Sequence, residues 1–190
     1  MRVIAGSHRG RRLSGPEGNA LRPTSDKVRG ALFSILGAQV SGSRFLDLYA
    51  GTGAVGIEAL SRGASAVTFV ESDPESVQLL RKNLMTCQLL DRSQILTERT
   101  ATFLDRKDWW GEPYDILFAD PPYADLDELD IIIHAWRPGL LSERATVIIE
   151  QDAHAELPPS IGTAALVRRY QYGDTALYLY GLSTSESTAS

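Results

Sequence analysis

The chain has 190 residues, 43% of them hydrophobic, which suits one domain around a single sizeable core and leaves a second full domain cramped. No apolar run approaches the roughly 20 residues of a membrane span, the opening Met1–Gly6 is broken too soon for a signal peptide, and the single cysteine, Cys87, excludes an internal disulfide and a Cys-rich metal site. The expectation is therefore a cytoplasmic protein with no membrane partner. The net charge is −5, yet residues 1–30 carry seven basic groups (Arg2, Arg9, Arg11, Arg12, Arg22, Lys27, Arg29) against two acidic ones, so an acidic body follows a basic arm. Such an arm suits a phosphate backbone, and equally a solvated surface; composition does not separate the two.

In chain order, Arg2–Ala5 and Arg11–Leu13 flank Gly6-Ser7-His8-Arg9-Gly10 and predict a small basic hairpin. Thr24 or Ser25 then caps a helix with Val28, Leu32, Ile35 and Leu36 on its apolar face. From Arg44 onward, short β-forming runs alternate with helical patterns: Arg44–Tyr49, Ala66–Val70, Gln94–Leu96, Tyr114–Ala119 and Ala145–Ile149. Between them, Asp73 caps and Pro74 opens a helix bearing Val77, Leu80 and Leu84, and Leu126, Leu129, Ile133 and Trp136 repeat that spacing. This alternation predicts an α/β fold with a mostly parallel, Rossmann-like sheet covered on both faces. The runs Ala165–Tyr170 and Thr175–Tyr180, on either side of Gly173-Asp174, predict a closing antiparallel hairpin with a two-residue or longer loop. The serine-rich tail 183–190 has no apolar periodicity and is expected to be disordered. The organisation expected is thus a basic hairpin and helix over 1–40, a sheet domain over 41–182, and the tail.

Two loops carry chemistry. The first follows the strand ending at Tyr49: in Ala50-Gly51-Thr52-Gly53-Ala54-Val55-Gly56 the glycines allow a sharp turn and close approach of a ligand to a helix amino-terminus. Glu71, twenty residues after Gly51, closes the next strand and can accept the hydroxyls of an adenosine ribose. That spacing also fits NAD, so an oxidoreductase is the rival reading. Asp47 favours S-adenosylmethionine, because a carboxylate beside the glycine turn can orient the loop or meet a cationic amino-acid end, whereas a pyrophosphate would be repelled.

The second loop is Asp120-Pro121-Pro122-Tyr123, at the carboxyl end of the run Ile116–Ala119 and on the same sheet edge. Two prolines hold the Asp120 carboxylate and the Pro121 carbonyl in place. Acceptors aimed at the hydrogens of a conjugated amino group favour a pyramidal nitrogen and stabilise the charge that develops as a methyl arrives. Tyr123 offers a flat face for an extruded base. The bland alternative is a rigid corner in which Asp120 caps the next helix; an oxidoreductase has no evident task for this tetrapeptide. A non-catalytic binding protein on the same fold is a third reading, against which Asp120 and Tyr123 argue.

These segments resemble the bacterial RsmD family of ribosomal RNA methyltransferases. The resemblance runs through Leu46-Asp47-Leu48-Tyr49-Ala50-Gly51-Thr52-Gly53, Phe69-Val70-Glu71 and Asp120-Pro121-Pro122-Tyr123. It also takes in Arg2–Gly6, Gly10–Leu13, Arg22-Pro23-Thr24-Ser25-Asp26-Lys27-Val28-Arg29, Gly56–Ala64 and Tyr172-Gly173-Asp174-Thr175, so it covers nearly all of the chain except the tail. What it implies is a seven-stranded methyltransferase sheet, S-adenosyl-L-methionine as cofactor, and methylation of the exocyclic N2 of a guanine in 16S ribosomal RNA. The partner implied is the small ribosomal subunit or its assembly intermediate, met by a monomer. The implied catalytic residues are Asp120, Pro121 and Tyr123. The implied cofactor contacts are Asp47, Tyr49, Ala50, Gly51, Thr52, Gly53, Glu71, Ser72, Thr100, Ala101 and Asp120. RNA contacts fall on Arg9, Arg11, Arg12, Arg22, Thr24, Arg29 and Tyr123. Related adenine and cytosine enzymes commonly carry Asn at the place of Asp120; a carboxylate suits the two adjacent donors of guanine. Thr100-Ala101 departs from the acidic residue or Asn that often reads the cofactor adenine.

Other candidates stay structural. Cys87 reads as a small buried side chain, and His8, His134 and His154 are scattered, so no metal site is expected. Trp109-Trp110 reads as an anchor for a loop or edge, with a nucleic-acid platform the lesser alternative.

Overall fold

A computed structural model describes residues 1–15, 25–122 and 139–182. Arg22, Thr24, Tyr123, the pattern Leu126–Trp136 with His134, and the tail lie outside the described residues. The apolar runs form β1 (Arg44–Leu48), β2 (Ala66–Glu71), β3 (Ser93–Thr97), β4 (Tyr114–Ala119), β5 (Leu141–Asp152), β6 (Ser160–Ile161), β7 (Ala164–Tyr172) and β8 (Thr175–Leu182). Four helices are described: α1 (Asp26–Leu36), α2 (Ala54–Ser61), α3 (Pro74–Cys87) and α4 (Thr100–Asp105). Ser25 is the cap of α1, its hydroxyl accepting from Val28 N, and Asp73 caps α3 by accepting from Ser76 N, with Pro74 at the first position.

The eight described strands join one sheet in the order β3-β2-β1-β4-β5-β8-β7-β6, parallel from β3 to β5 and antiparallel beyond. The expected seven strands are present, and the two-residue β6 adds an eighth; so short a piece has no alternation to announce it. Tyr172 pairs with Thr175, which makes Gly173-Asp174 a two-residue connection. After β1 the chain adds β2 and β3 on one side, then returns to place β4 on the other. The β1/β4 boundary is therefore the switch point, where neighbouring loops diverge and leave a crevice at the carboxyl edge.

Side chains alternate between two cores. One face buries Phe45, Val67, Phe69, Ile116 and Phe118 beneath α1, α2 and α3; the other buries Leu46, Leu48, Val70 and Leu117 with Phe103, Leu104 and Trp110. Trp110 is an anchor, its indole N–H donating to the Phe103 carbonyl at 3.0 Å. Trp109 packs on the same core under the Arg106 guanidinium. Cys87 is fully buried.

The amino-terminal hairpin forms with a single antiparallel bridge, Arg2 to Arg12, and it is bolted to the sheet domain through α2. The Glu58 carboxylate, wholly buried, accepts from Ile4 N at 2.7 Å, Ala5 N at 2.9 Å and Arg62 Nε at 2.7 Å. Ser61 holds the tip through Ser7 N and His8 N. Gly6 is required there: its φ is +80° and a Cβ would lie 1.9 Å from the Ser61 carbonyl oxygen. Val3 and Leu13 complete the core shared with α1 and α2.

Candidate active site

Parallel strands bring the loops after β1, β2, β3 and β4 to one edge, so residues 49–53, 71–73, 98–100 and 120–122 meet there. The glycine turn is wired to its surroundings by two carboxylates. Glu71 accepts from Gly51 N at 2.7 Å and from Asp73 N at 2.8 Å, stapling the turn to the start of α3. Asp47 accepts from Gly56 N at 2.9 Å and so fixes the first turn of α2. Asn83, buried in α3, donates to the Thr52 carbonyl and exchanges hydrogen bonds with the Ser14 backbone, tying the arm to the same loop. Tyr49 leaves β1 with φ +60°, an unusual angle for an aromatic residue. At Gly53 (φ +79°) a Cβ would meet Leu80 at 2.2 Å, while at Gly51 it would meet nothing within 4 Å. The turn therefore packs tightly on its helix side and opens on the other.

Burial shapes the electrostatics. Asp47 is 1% exposed, and desolvation is the main reason its pKa is raised to about 8; the charge of Glu71 adds to this and the Gly56 amide opposes it. Burial also holds Asp120 well above the ordinary carboxylate range, reinforced by Glu150 and Asp47. Asp120 remains partly accessible at the edge, beside buried Pro121 and exposed Pro122. Thr100 is buried at the first turn of α4, Ala101 is half-buried, and Ser72 is exposed beside Glu71.

Asp47 supplies a test through linkage. Its folded pKa lies above its unfolded value, so its contribution to stability is fully present below about pH 4 and is lost as pH rises towards 8. Asp47→Asn keeps an acceptor for Gly56 N and never ionises. Its stability relative to the parent should be unchanging below pH 4, climb from there to pH 8 by at least about 1 kcal/mol, and level off, a Tm gain of roughly 2–4 °C. Thermal unfolding across that range checks it; a difference independent of pH would show that Asp47 is ionised throughout.

The structure gathers Asp47, Tyr49, Ala50, Gly51, Thr52, Gly53, Glu71, Ser72, Thr100, Ala101, Asp120 and Pro121 along one edge. It removes Arg29 from the RNA-facing set. Arg29 is completely buried, donating to the Arg2 carbonyl and to Asp26, with Nε and Nη1 without a partner among the described residues. Burial pulls its pKa down, while Asp26 and Glu58 act against that. A sum of charges counts a guanidinium without asking whether water reaches it. Arg9, Arg11 and Arg12 are exposed on the hairpin, where Arg11 donates to the Thr86 carbonyl at 2.9 Å. Sequence reasoning did not single out Glu58, Asn83 or Glu150. Of these only Glu150 carries a readable signal, a carboxylate closing an apolar strand as Asp47 and Glu71 do.

Among the described residues no group of three or more His, Cys, Asp or Glu is placed to hold a metal ion, and no helix is long and apolar enough to cross a membrane. The residues present fit a nucleoside carrying a charged amino acid: an acidic acceptor at the end of β2, an open glycine turn after β1, and carboxyls for a cation. Fold and site together define an S-adenosylmethionine-dependent methyltransferase. The fold is shared with the methyltransferase SMU.776, solved with SAH, at TM-score 0.67 and 18% identity over 82% of this chain and 48% of that one.

The chain belongs to the RsmD family: residues 1–181 match the family described as Conserved hypothetical protein 95. It is similar to ribosomal RNA small subunit methyltransferase D of Escherichia coli K12, with 35% identity over 182 residues, 95% of this chain and 89% of that protein. The solved structure of a hypothetical protein of Thermus thermophilus superposes with TM-score 0.80 at 33% identity, covering 96% of this chain and 99% of that one.

Proposed function

We propose that this protein transfers a methyl group from S-adenosylmethionine to the exocyclic N2 of a guanine in 16S ribosomal RNA. The observation that carries the reading is the placement of Asp120-Pro121 across the β1/β4 crevice from the glycine turn, on a chain whose relative in Escherichia coli is named a ribosomal RNA small subunit methyltransferase. The cofactor supplies an electrophilic methyl group on a sulfonium. Asp120 and the Pro121 carbonyl accept hydrogen bonds from the target amino group, which frees the nitrogen lone pair from the ring and steadies the positive charge it acquires. The carboxylate suits guanine because N1–H and N2–H lie side by side as donors on one edge. Tyr123 stacks on the extruded base. The protein acts as a cytoplasmic monomer on the small subunit or its assembly intermediate. Transfer of labelled methyl to subunits lacking the modification, followed by identification of the nucleoside, tests the whole reading; label on any base atom other than guanine N2 overturns it.

The exposed arginines Arg9, Arg11 and Arg12, together with Arg22, supply affinity for the RNA backbone. Replacing Arg11 and Arg12 with Ala should flatten the dependence of log affinity on log salt by about 0.7–0.9 per lost phosphate contact and leave cofactor binding intact. Filter binding over a salt series checks it, and an unaltered slope would return the hairpin to plain solvated surface.

A further inference from the structure

Asp120 feels the charge of Glu150 across the edge of the sheet. β4 ends at Ala119, opposite Ile149 of β5 on a strand about 5 Å away, and continuing that register by one residue sets Asp120 beside Glu150. Residues in one row of a parallel pair share a face. That face is the one bearing Asp47, since Asp47, Phe118 and Ile148 form the row two residues earlier. The two carboxyls differ in access: Asp120 reaches the edge, whereas Glu150 is 3% exposed behind it, with fully buried Leu177 of β8 opposite. Glu150 is thus placed to act on Asp120 and not on a base.

We propose that Asp120 and Glu150 form an acid pair that shares one proton, with Glu150 the positioning residue that decides at what pH Asp120 becomes an acceptor. Two neighbouring carboxyls in a poorly solvated site cannot both ionise at moderate pH, because the second negative charge is repelled by the first. The charged groups of the described elements that act on Asp120 are Asp47 on β1 and Glu150 on β5, and uncharged Leu177 of β8 lies opposite Glu150. Burial and both carboxyls push the Asp120 pKa in the same direction, upward. The role in transfer rests on the proposed reading of Asp120. As the amino nitrogen forms its bond to the methyl carbon, the carbon–sulfur electron pair returns to sulfur, and the surplus proton on nitrogen passes to ionised Asp120.

The test is carboxyl-carbon NMR of the full chain without cofactor, with Asp120 assigned by its loss in Asp120→Asn, joined to pH profiles of single-turnover transfer. In the parent protein Asp120 should titrate well above the usual carboxylate range. In Glu150→Gln its midpoint should fall by about one pH unit or more, and the acid limb of the rate profile should move with it. Glu150→Asp, which keeps the acid but draws it back, should give a smaller fall and stands in if the Gln variant does not fold. An Asp120 that titrates near pH 4 in the parent, or a midpoint unmoved by both substitutions, overturns the pair. A midpoint that moves while the rate profile does not supports the pair and sinks the assignment of Asp120 as the acceptor, so the two failures are told apart.

Discussion

Asp120→Asn should lower the single-turnover rate of methyl transfer by about a hundredfold or more while leaving cofactor affinity within a few-fold of the parent. The substitution keeps the shape and one acceptor oxygen at the edge of β4. It puts an NH2 donor where guanine also presents donors, and it removes the only place in the described crevice, apart from the buried carboxyls behind, that can take the proton released at nitrogen. Interactions made chiefly in the transition state appear in the rate rather than in binding, and loss of one such acceptor costs on the order of 3 kcal/mol. Calorimetry with S-adenosylmethionine and rapid-quench transfer, run on the same preparation, separate the two quantities. Parent-like transfer by Asp120→Asn would leave the Pro121 carbonyl as the sole acceptor.

Glu58→Ala should be the most damaging single change to the fold, costing about 3–5 kcal/mol. Removing this carboxylate strands the Ile4 and Ala5 amides and the Arg62 guanidinium without their buried acceptor, and it opens a void in a helix that is buried along its whole length. The expected signature is local before it is global. Amide exchange in residues 3–13 should speed up at denaturant concentrations where β1, β2 and β4 stay protected, and Glu58→Gln should recover part of the loss by restoring one acceptor oxygen. Uniform loss of protection would mean that the hairpin does not open independently.

Most of the scaffold was legible because it is written locally. The β-forming runs of β1, β2 and β4 and the caps Ser25 and Asp73 are signals within a few residues, and they recur in the structure where the chain announces them. The long-range wiring was not. Nothing near Glu58 says that it will meet residues 4 and 5, and nothing near Asn83 points to Thr52 and Ser14. β5 begins at Leu141, ahead of its apolar run, because Leu141 pairs with Tyr114 and polar Ser142-Glu143-Arg144 are carried across an irregularity in the ladder. The site showed the same division. Glycine spacing and terminal carboxylates located the crevice, but not that both oxygens of Glu71 already hold backbone amides. Any ribose contact must therefore use its remaining lone pairs. Arg29 marks the limit of charge counting, since its neighbours in space, Arg2 and Asp26, turn a surface-looking arginine into a core one.

α2 links two parts of the molecule that the proposed function uses together. Its first turn is fixed to β1, just ahead of the glycine loop, through Gly56 and Asp47, and its later residues carry the hairpin through Glu58 and Ser61. Eight residues of helix span about 12 Å and do not stretch. The helix is in effect a ruler: the gap between the arginine-bearing tip and the point of methyl delivery is set by covalent geometry rather than by a flexible tether. On the proposed function, a nucleic acid gripped at one end would be measured to the other, and a target nucleotide would be chosen partly by how far it lies from the phosphates that are held.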